Sequence, residues 1–577
     1  RMAPSRLLHN EGCVKPGWSQ RGPNRYGAGG ERSNDFINPM YPAVADLVQW
    51  ARTTREQRPF IMCEYCSTTG NSGGGLQDYW DAIYAHHGLQ GGFIWQWLDH
   101  GLRRRDKAGR PYWAYGGDFG EHMHDYNFHC NGLVSADRQP HPALYEYKKL
   151  LQPIAVTARD PDKHRFTVSN RDYWRASDWL DASWRLELDG RTLQKGRLAC
   201  ALPPGGSKTV TLPLKPFHHP PGALAVVNFS FRTRRKTAWC PKGHEVAWEQ
   251  FVIPPPADTR TSARTRPKPE LLTASPVQLR RQGHCLTAAV GGTEVRIDRR
   301  TGLIAAVRQA GKPVLLQGPV FNLWRASIDN DGLRANPDHR SSPRKLLGRW
   351  LAAGYDRLRT HLEQMDIDSS NPSCLVIKVA QHICPARTAT GFRHTAHYTF
   401  NSAGILHCSH TFHMPAGLVE PARLGVRFMV AAGHEHLEWL GRGPHESYPD
   451  RKAGAPLGRY TGTVGEQHHA YVVPQENGLK VDTREFTLRG AGSSVTFQAR
   501  NPQGFAFSVQ HYKPEELERA LHINEVKFRP ETVVLIDAIH RGVGSAACGP
   551  DTLPAYRIHP GDYTLAYDIR LETTKHH

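Results

Sequence analysis

The chain has 577 residues, 39% hydrophobic, 22% charged and 9% aromatic, the mix of a packed soluble protein and not of a disordered or collagen-like one. At about 150 residues per domain it holds about four domain-sized pieces, which excludes one small binding module. Lys and Arg outnumber Asp and Glu by 73 to 54, a net charge of +19. The basic residues are spread, however, and no helix-turn-helix, finger or RNA-binding signature accompanies them, so no nucleic-acid partner is expected.

From residue 1 to about 152 short apolar runs alternate with helical stretches, the pattern of parallel strands and crossover helices. Strands are expected at residues 6–10 and 35–38 and a helix over 43–52, carrying Val44, Leu47, Val48 and Ala51. Residues 58–64 (RPFIMCE) read as a compact apolar strand. Leu76, Tyr79, Trp80, Ile83, Tyr84 and His87 then recur at helical spacing, and residues 91–97 (GGFIWQW) form the next strand. At most four strands fit. The arginine runs at 103–105 and 232–235 are short and lie near Trp and Phe residues of strand-like segments.

After Gln152-Pro153 the helical periodicity stops, and about 100 residues of alternating segments, among them 165–169, 184–188, 209–214 and 224–232, read as a β-sandwich. Residues 254–276, rich in Pro, Arg and Thr, read as a linker. From 277 to 577 many short strands alternate with turn signals and no long helix is evident, which predicts a second, larger all-β domain. The fold class is therefore multidomain, α/β plus all-β.

Glu64 is the most informative residue. It is an acid at the carboxyl end of an apolar strand, ahead of the turn formers Gly70, Asn71, Ser72 and Gly73 to Gly75. In parallel α/β sheets and barrels that strand end faces the active site. A carboxylate there can attack a sugar's anomeric carbon when a second carboxyl group about 5 Å away protonates the leaving oxygen. The structural alternative is a carboxylate paired with a nearby arginine. Trp95, near the end of the following strand, offers an indole face for a pyranose ring. The loop 115–131 holds His122, His124, Asp125 and His129, but their spacing matches no established zinc set; a hard cation on Asn131 and backbone carbonyls fits its chemistry better. Cys63 and Cys66 form a CxxC that does not open a helix, so no redox role is expected. Eleven cysteines, sparse and odd in number, and an opening without a secretion signal point to the cytoplasm. No run of 18 apolar residues predicts a membrane span.

Residues 58–153, with RPFIMCEY, GNSGGG, LQGGFIWQWLDH, YGGDFG and FHCNGLVSADRQPHPALYEYKKLLQP, closely resemble the carboxyl-terminal part of the catalytic barrel of glycoside hydrolase family 2 β-galactosidases. FNLWRASIDNDG at 321–332, WLGRGPHESYPD at 439–450 and YVVPQENGLKVDTRE at 471–485 resemble segments of that family's small-chain domain. The resemblance implies half of a (β/α)8 TIM barrel at 1–152, an immunoglobulin-like β-sandwich at 153–253 and a galactose-mutarotase-like β-supersandwich at 277–577. It implies retaining hydrolysis of terminal β-D-galactose residues, as in lactose. Glu64 would be the covalent nucleophile and Tyr41 would assist beside it. Trp95 would line the galactose pocket, while Phe128, through its carbonyl, and Asn131 would hold part of a sodium site at the sugar. Ser67 stands where the family has a substrate-binding histidine, which puts sugar preference in doubt. The loop 544–550 (GSAACGP) lacks the aromatic that some members place on the aglycone side.

A complete barrel needs about 250 residues, so the acid/base glutamate, the magnesium ligands and an aspartate of the sodium site have no match here. Glu11 is the only early glutamate in a barrel-like position and is read as structural. The expectation is a β-galactosidase fragment, inactive alone, from a homo-oligomeric parent. The alternatives are another family 2 β-glycosidase, or a non-catalytic carbohydrate-binding or assembly subunit that needs a partner chain.

Overall fold

The computed structural model of the chain describes residues 5–9, 34–255 and 275–573, apart from residues 389 and 491. Glu11 and positions 256–274 of the expected linker lie outside the described residues.

The first body is built on helix α1 (Val44–Thr53), strand β1 (Phe60–Tyr65), helix α2 (Leu76–Ala85) and strand β2 (Leu89–Ile94). β1 and β2 pair in parallel, Phe60 opposite Leu89 and Tyr65 opposite Ile94. A parallel pair needs a crossover, and α2 supplies it, burying Leu76, Tyr79, Trp80 and Ile83 on one face as the spacing predicts. Gly92 lets the two strands approach, because a β-carbon there would stand 2.6 Å from that of Met62.

On the other side of β1, Ile37 bridges Phe60 and Met40 bridges Glu64, both in parallel, and the Asp35 amide donates to the Leu8 carbonyl at 2.9 Å. Four extended segments thus lie side by side. The two expected strands at 6–10 and 35–38 are reduced to single bonds and bridges. Pro39 and Pro42 remove amide donors from this segment, so a ladder cannot propagate along it. An antiparallel hairpin follows, β3 (Leu102–Arg105) with β4 (Pro111–Ala114). All four β3 residues are exposed, so the arginine run at 103–105 lies on the surface. Helix α3 (Pro142–Leu150) ends this body.

The second body is a sandwich of a three-stranded and a four-stranded sheet. β5 (Ile154–Asp160), β6 (Arg165–Asn170) and β9 (Ser207–Thr211) form the smaller. β7 (Leu180–Leu188), β8 (Arg191–Leu198), β10 (Ala225–Thr233) and β11 (Glu245–Ile253) form the larger, in the order β11-β10-β7-β8. Inward residues of both sheets, among them Phe166, Trp184, Leu186, Phe229 and Phe231, share one core, as alternating strands require.

The third body consists of two nine-stranded antiparallel sheets. Their faces meet in a single core, where Phe428 of one sheet lies 5.2 Å from Phe497 of the other, ring centre to ring centre. Its helices are short, the longest being Leu346–Ala353.

The loop after β1 locks the first body onto the third. Asn71 donates to the Tyr448 hydroxyl at 3.0 Å and to the Glu476 carbonyl at 2.6 Å, and its own amide donates to Gln475 Oε1 at 3.0 Å. Arg451 donates to the Ser72 carbonyl. From α3, the buried Glu146 carboxylate accepts from the amides of Ala453 and Gly454 at 3.1 and 2.6 Å. The carboxyl end of β1 is therefore held by the large β body as well as by its own sheet.

Candidate active site

Glu64 sits one residue from the end of β1 and is partly buried. Its carbonyl accepts the Tyr41 amide at 2.8 Å, which turns the Tyr41 ring toward the same strand end. Tyr41 adopts a left-handed backbone, φ 47°, a conformation that a bulky residue holds only where its surroundings enforce it. Its hydroxyl is buried and faces the Glu64 carboxylate and the Cys548 thiol. Burial first, then the neighbouring Cys548 sulfur and Glu64 carboxylate, push the phenol far above its ordinary pKa, so Tyr41 stays a proton donor beside the carboxylate.

Cys548 comes from the third body, on the loop the sequence marked as lacking an aromatic. That loop is anchored on both flanks. Asp450 accepts the amides of Val543 and Gly544 at 2.9 and 2.8 Å. Asn330 accepts the Ala547 amide at 2.9 Å and donates to the Val543 and Gly544 carbonyls at 2.8 and 3.0 Å. Gly549 lies so close that a β-carbon there would stand 3.4 Å from Cδ1 of Tyr41. Spacing and periodicity could not reveal this contact, since it depends on how two bodies dock.

Trp95 follows directly on β2 and remains 39% exposed, so its indole face can meet a ligand. Its carbonyl accepts the amide and the hydroxyl of Thr68 at 3.0 and 3.1 Å. The Trp95-Gln96 peptide is cis. Thr68 also donates to the Asn131 carbonyl, and Gln96 Nε2 donates to Asn131 Oδ1 at 2.9 Å. Thr68, Trp95, Gln96 and Asn131 thus form one bonded group at the ends of β1 and β2. Ser67 does not join it. It is fully buried, its hydroxyl 3.1 Å from Thr69 Oγ1. The chain after β1 turns inward at Cys66, itself buried and at φ 48°, and carries Ser67 away from the surface.

Phe128 and Asn131 offer two oxygens of the hard type that an alkali cation prefers, but hard cations take about six or more. The Asn131 oxygen is already engaged by Gln96. Among the described residues no group of three or more His, Cys, Asp or Glu is placed to hold a metal. Phe128 and Asn131 by themselves make only part of such a shell, and no chemical step is derived through either ion.

Behind these groups lies a buried polar frame that sequence reading missed. Asp99 accepts the Gly132 amide at 2.7 Å and stands 2.8 Å from His141 Nε2, while His141 Nδ1 stands 2.8 Å from His469 Nε2. Burial holds His469 neutral, its pKa lowered to about 3 although the Glu446 carboxylate beside it pulls the other way. Asp329, fully enclosed, accepts from Asn127 Nδ2 and Gln475 Nε2, each at 2.9 Å, and its pKa is raised by burial. These bonds fix the turn that carries Phe128 and Asn131. A cavity of 370 Å³ between α2, α3 and the second body includes no residue of the Glu64 group.

Comparisons with known proteins match this architecture segment by segment. Residues 4–156 match the family 2 glycosyl hydrolase TIM barrel domain, 166–254 match domain 4 of beta-galactosidase, and 289–571 match the beta-galactosidase small chain. The chain belongs to glycoside hydrolase family 2. Beta-galactosidase 2 of Enterobacter cloacae is 32% identical over 535 residues, 90% of this chain and 50% of that protein. The beta-galactosidase of Aeromonas hydrophila is 32% identical over 95% of this chain and 53% of its own length. That of Vibrio cholerae is 33% identical over 94% and 52%. The chain thus spans about half the length of the curated relatives it matches. Its first body is a partial family 2 barrel, and the other two are sandwich-type domains.

Proposed function

We propose that the chain carries the nucleophile half of a retaining β-galactosidase, with Glu64 as the residue that bonds covalently to galactose. The observation that carries this reading is the meeting of Glu64, a protonated Tyr41 and an exposed Trp95 at the carboxyl ends of two parallel barrel strands. In the first step a Glu64 oxygen attacks the anomeric carbon and forms an ester as the bond to the leaving oxygen breaks. The leaving oxygen needs a proton, and none of the residues assigned here supplies it. In the second step water attacks the same carbon and gives up a proton, for which none of the residues assigned here is the base, and the carboxylate departs with Tyr41 placed to donate toward it.

Without acid assistance, commonly worth about 10² to 10⁴-fold, the 577-residue chain hydrolyses lactose very slowly. A leaving group that needs no proton avoids this barrier. Incubation with 2,4-dinitrophenyl 2-deoxy-2-fluoro-β-galactoside should release dinitrophenolate and add one fluorogalactosyl group, located by peptide mass spectrometry on Glu64. The Glu64→Gln variant should acquire none. Label on another residue, or on neither protein, would overturn the assignment.

The reading as a binding or assembly subunit keeps one supporting observation: Phe93 and Trp97 are 60% and 62% exposed beside Trp95, a larger apolar area than scattered surface residues give. It predicts galactose-protected Trp fluorescence in Glu64→Gln with no labelling of the original chain.

A further inference from the structure

The joint between the first and second bodies carries a cleft that the Glu64 group does not use. It measures 620 Å³ and lies between the carboxyl end of α2 and the chain following β6, with Tyr84, His86, His87, Arg171, Asp172 and Tyr173 among its walls. That volume is within the range of sites that hold small ligands. Neither Glu64 nor Tyr41, Trp95 or Asn131 lines it. Arg171 and Tyr84 form a wall shared with the 370 Å³ cavity described above, the guanidinium 3.9 Å from the ring centre.

At the cleft two aromatic rings are held out in water. Tyr173 and Trp174 are 79% and 88% exposed, their ring centres 5.6 Å apart and their planes at 59°. The loop that carries them is fixed by its own side chains. Asp172 Oδ1 accepts the amides of Trp174 and Arg175 at 3.0 and 3.2 Å. Asn170 Oδ1 accepts the Asp172 amide at 3.1 Å, and Asn170 Nδ2 donates to the Arg175 carbonyl at 2.8 Å. The Gly205 amide donates to the Asp172 carbonyl at 3.1 Å and ties the loop to its neighbour. A loop ordered beforehand gives up little freedom when a ligand covers its rings.

The walls select the chemistry of that ligand. They carry one arginine and one carboxylate, Arg171 and Asp172, and so offer an anion no surplus of positive charge. In the adjoining cavity Lys149 is matched by Glu249 at 2.9 Å. Gln90 adds an amide to the cleft. Planar polar groups beside aromatic faces match the two aspects of a sugar, hydroxyls around its edge and C–H groups on its faces. The tilt between the two rings rules out one flat surface across both and suits successive residues of a chain that turns along its length.

We propose that the cleft and its two rings form a second glycan site, which binds a neutral oligosaccharide by stacking on Tyr173 and Trp174 and by hydrogen bonds from Arg171 and Gln90. The site holds a sugar chain and makes or breaks no bond, so it does not depend on what Glu64 does.

The test is isothermal titration of the 577-residue chain with three neutral tetrasaccharides: β-1,4-galactotetraose, cellotetraose and maltotetraose. At least one should bind, about tenfold more tightly than its own monosaccharide, because a single ring cannot occupy the cleft and both aromatic faces. Replacing both rings, Tyr173→Ala with Trp174→Ala, should weaken binding by about tenfold or more, and Arg171→Gln by about threefold or more. The thermal midpoint should change little, since all three side chains are exposed. Trp95→Ala should leave the affinity as it is. Binding lost in Trp95→Ala and kept in the double variant would put the sugar at the Glu64 group and overturn the second site. Failure of all three tetrasaccharides to bind would overturn it too. The β-1,4-linked tetraglucuronate, which is cellotetraose with each hydroxymethyl group oxidised to a carboxylate, should bind no more tightly than cellotetraose. Tighter binding of the acid would overturn the neutral ligand.

Discussion

The chemistry of Tyr41 and Glu64 depends on two backbone facts: a left-handed φ at Tyr41 and a 2.8 Å bond from its amide to the Glu64 carbonyl. Because burial above all, with the neighbouring Glu64 carboxylate, keeps the phenol protonated, its hydroxyl can steady the carboxylate as a leaving group. Tyr41→Phe removes that donor while keeping the ring against Gly549. A hydrogen bond to a charged group is worth about 1.5–3 kcal/mol, so release of the fluorogalactosyl group from Glu64 should slow by about ten- to a hundredfold with the thermal midpoint little changed. Equal release rates by timed mass spectrometry would remove Tyr41 from the mechanism. Glu64 and Trp95 were legible in the sequence because strand ends and apolar periodicity are local properties. Cys548 as a neighbour of Tyr41 was not, since the two come from opposite ends of the chain and meet only through domain docking. The burial of Ser67 was not legible for the same reason: its position beside Glu64 in sequence does not disclose that the chain turns inward at Cys66.

Among the elements, the unit β1, α2 and β2 could be read from the sequence because apolar spacing changes from strand to helix and back within 35 residues of chain (60–94). The segments before β1 could not, because prolines and polar residues leave bridges where a full strand was expected. In the sandwich, β5, β8 and β11 escaped notice. β8 is exposed along most of its length and carries little apolar signal. The loop after β1 is an element-scale device of another kind, a glycine-rich turn used as a plug. Gly70 has φ +60°, and a β-carbon there would stand 2.3 Å from Asp329 Oδ2 and 2.6 Å from Gln475 Nε2. Gly70→Ala therefore incurs both backbone strain and a clash with buried groups, a loss of about 1–3 kcal/mol. Urea unfolding followed by Trp fluorescence should show the loss, and labelling of Glu64 should slow in parallel because the plug fixes the end of β1. A stable variant with unaltered labelling would show that the plug does not position the nucleophile.

At the scale of the whole molecule, the bodies are joined by enclosed polar groups whose protonation is tied to folding. Burial lowers the pKa of His394, His445 and His468 to about 4 and that of His469 to about 3, against an ordinary value of about 6.5. Between those limits the unfolded chain binds protons that the folded chain refuses, so stability falls as pH drops from about 6.5 toward 4. Buried carboxyl groups, Asp329 and Glu146 among them, act in the opposite sense. Burial raises Glu476 to about 7 and Asp537 to about 6, although Arg423 beside them pulls both back. Each holds a proton in the folded state and loses stability as pH rises through that value. The histidines make stability rise with pH between 5 and 6 and the raised carboxyls oppose it, so the part played by one histidine is read from a variant and not from the net slope. His445 allows a clean test, since its ring stacks on Tyr145 at 4.6 Å and phenylalanine preserves the stack. One proton fewer taken up on unfolding corresponds to about 1.4 kcal/mol per pH unit. Unfolding free energies from urea melts at pH 5.0, 5.5 and 6.0 should rise less steeply in His445→Phe by that amount. A slope equal to that of the original chain would mean that His445 is already protonated at pH 5 in the folded state, and that the joint between α3 and the large β body carries a buried charge in place of a neutral ring.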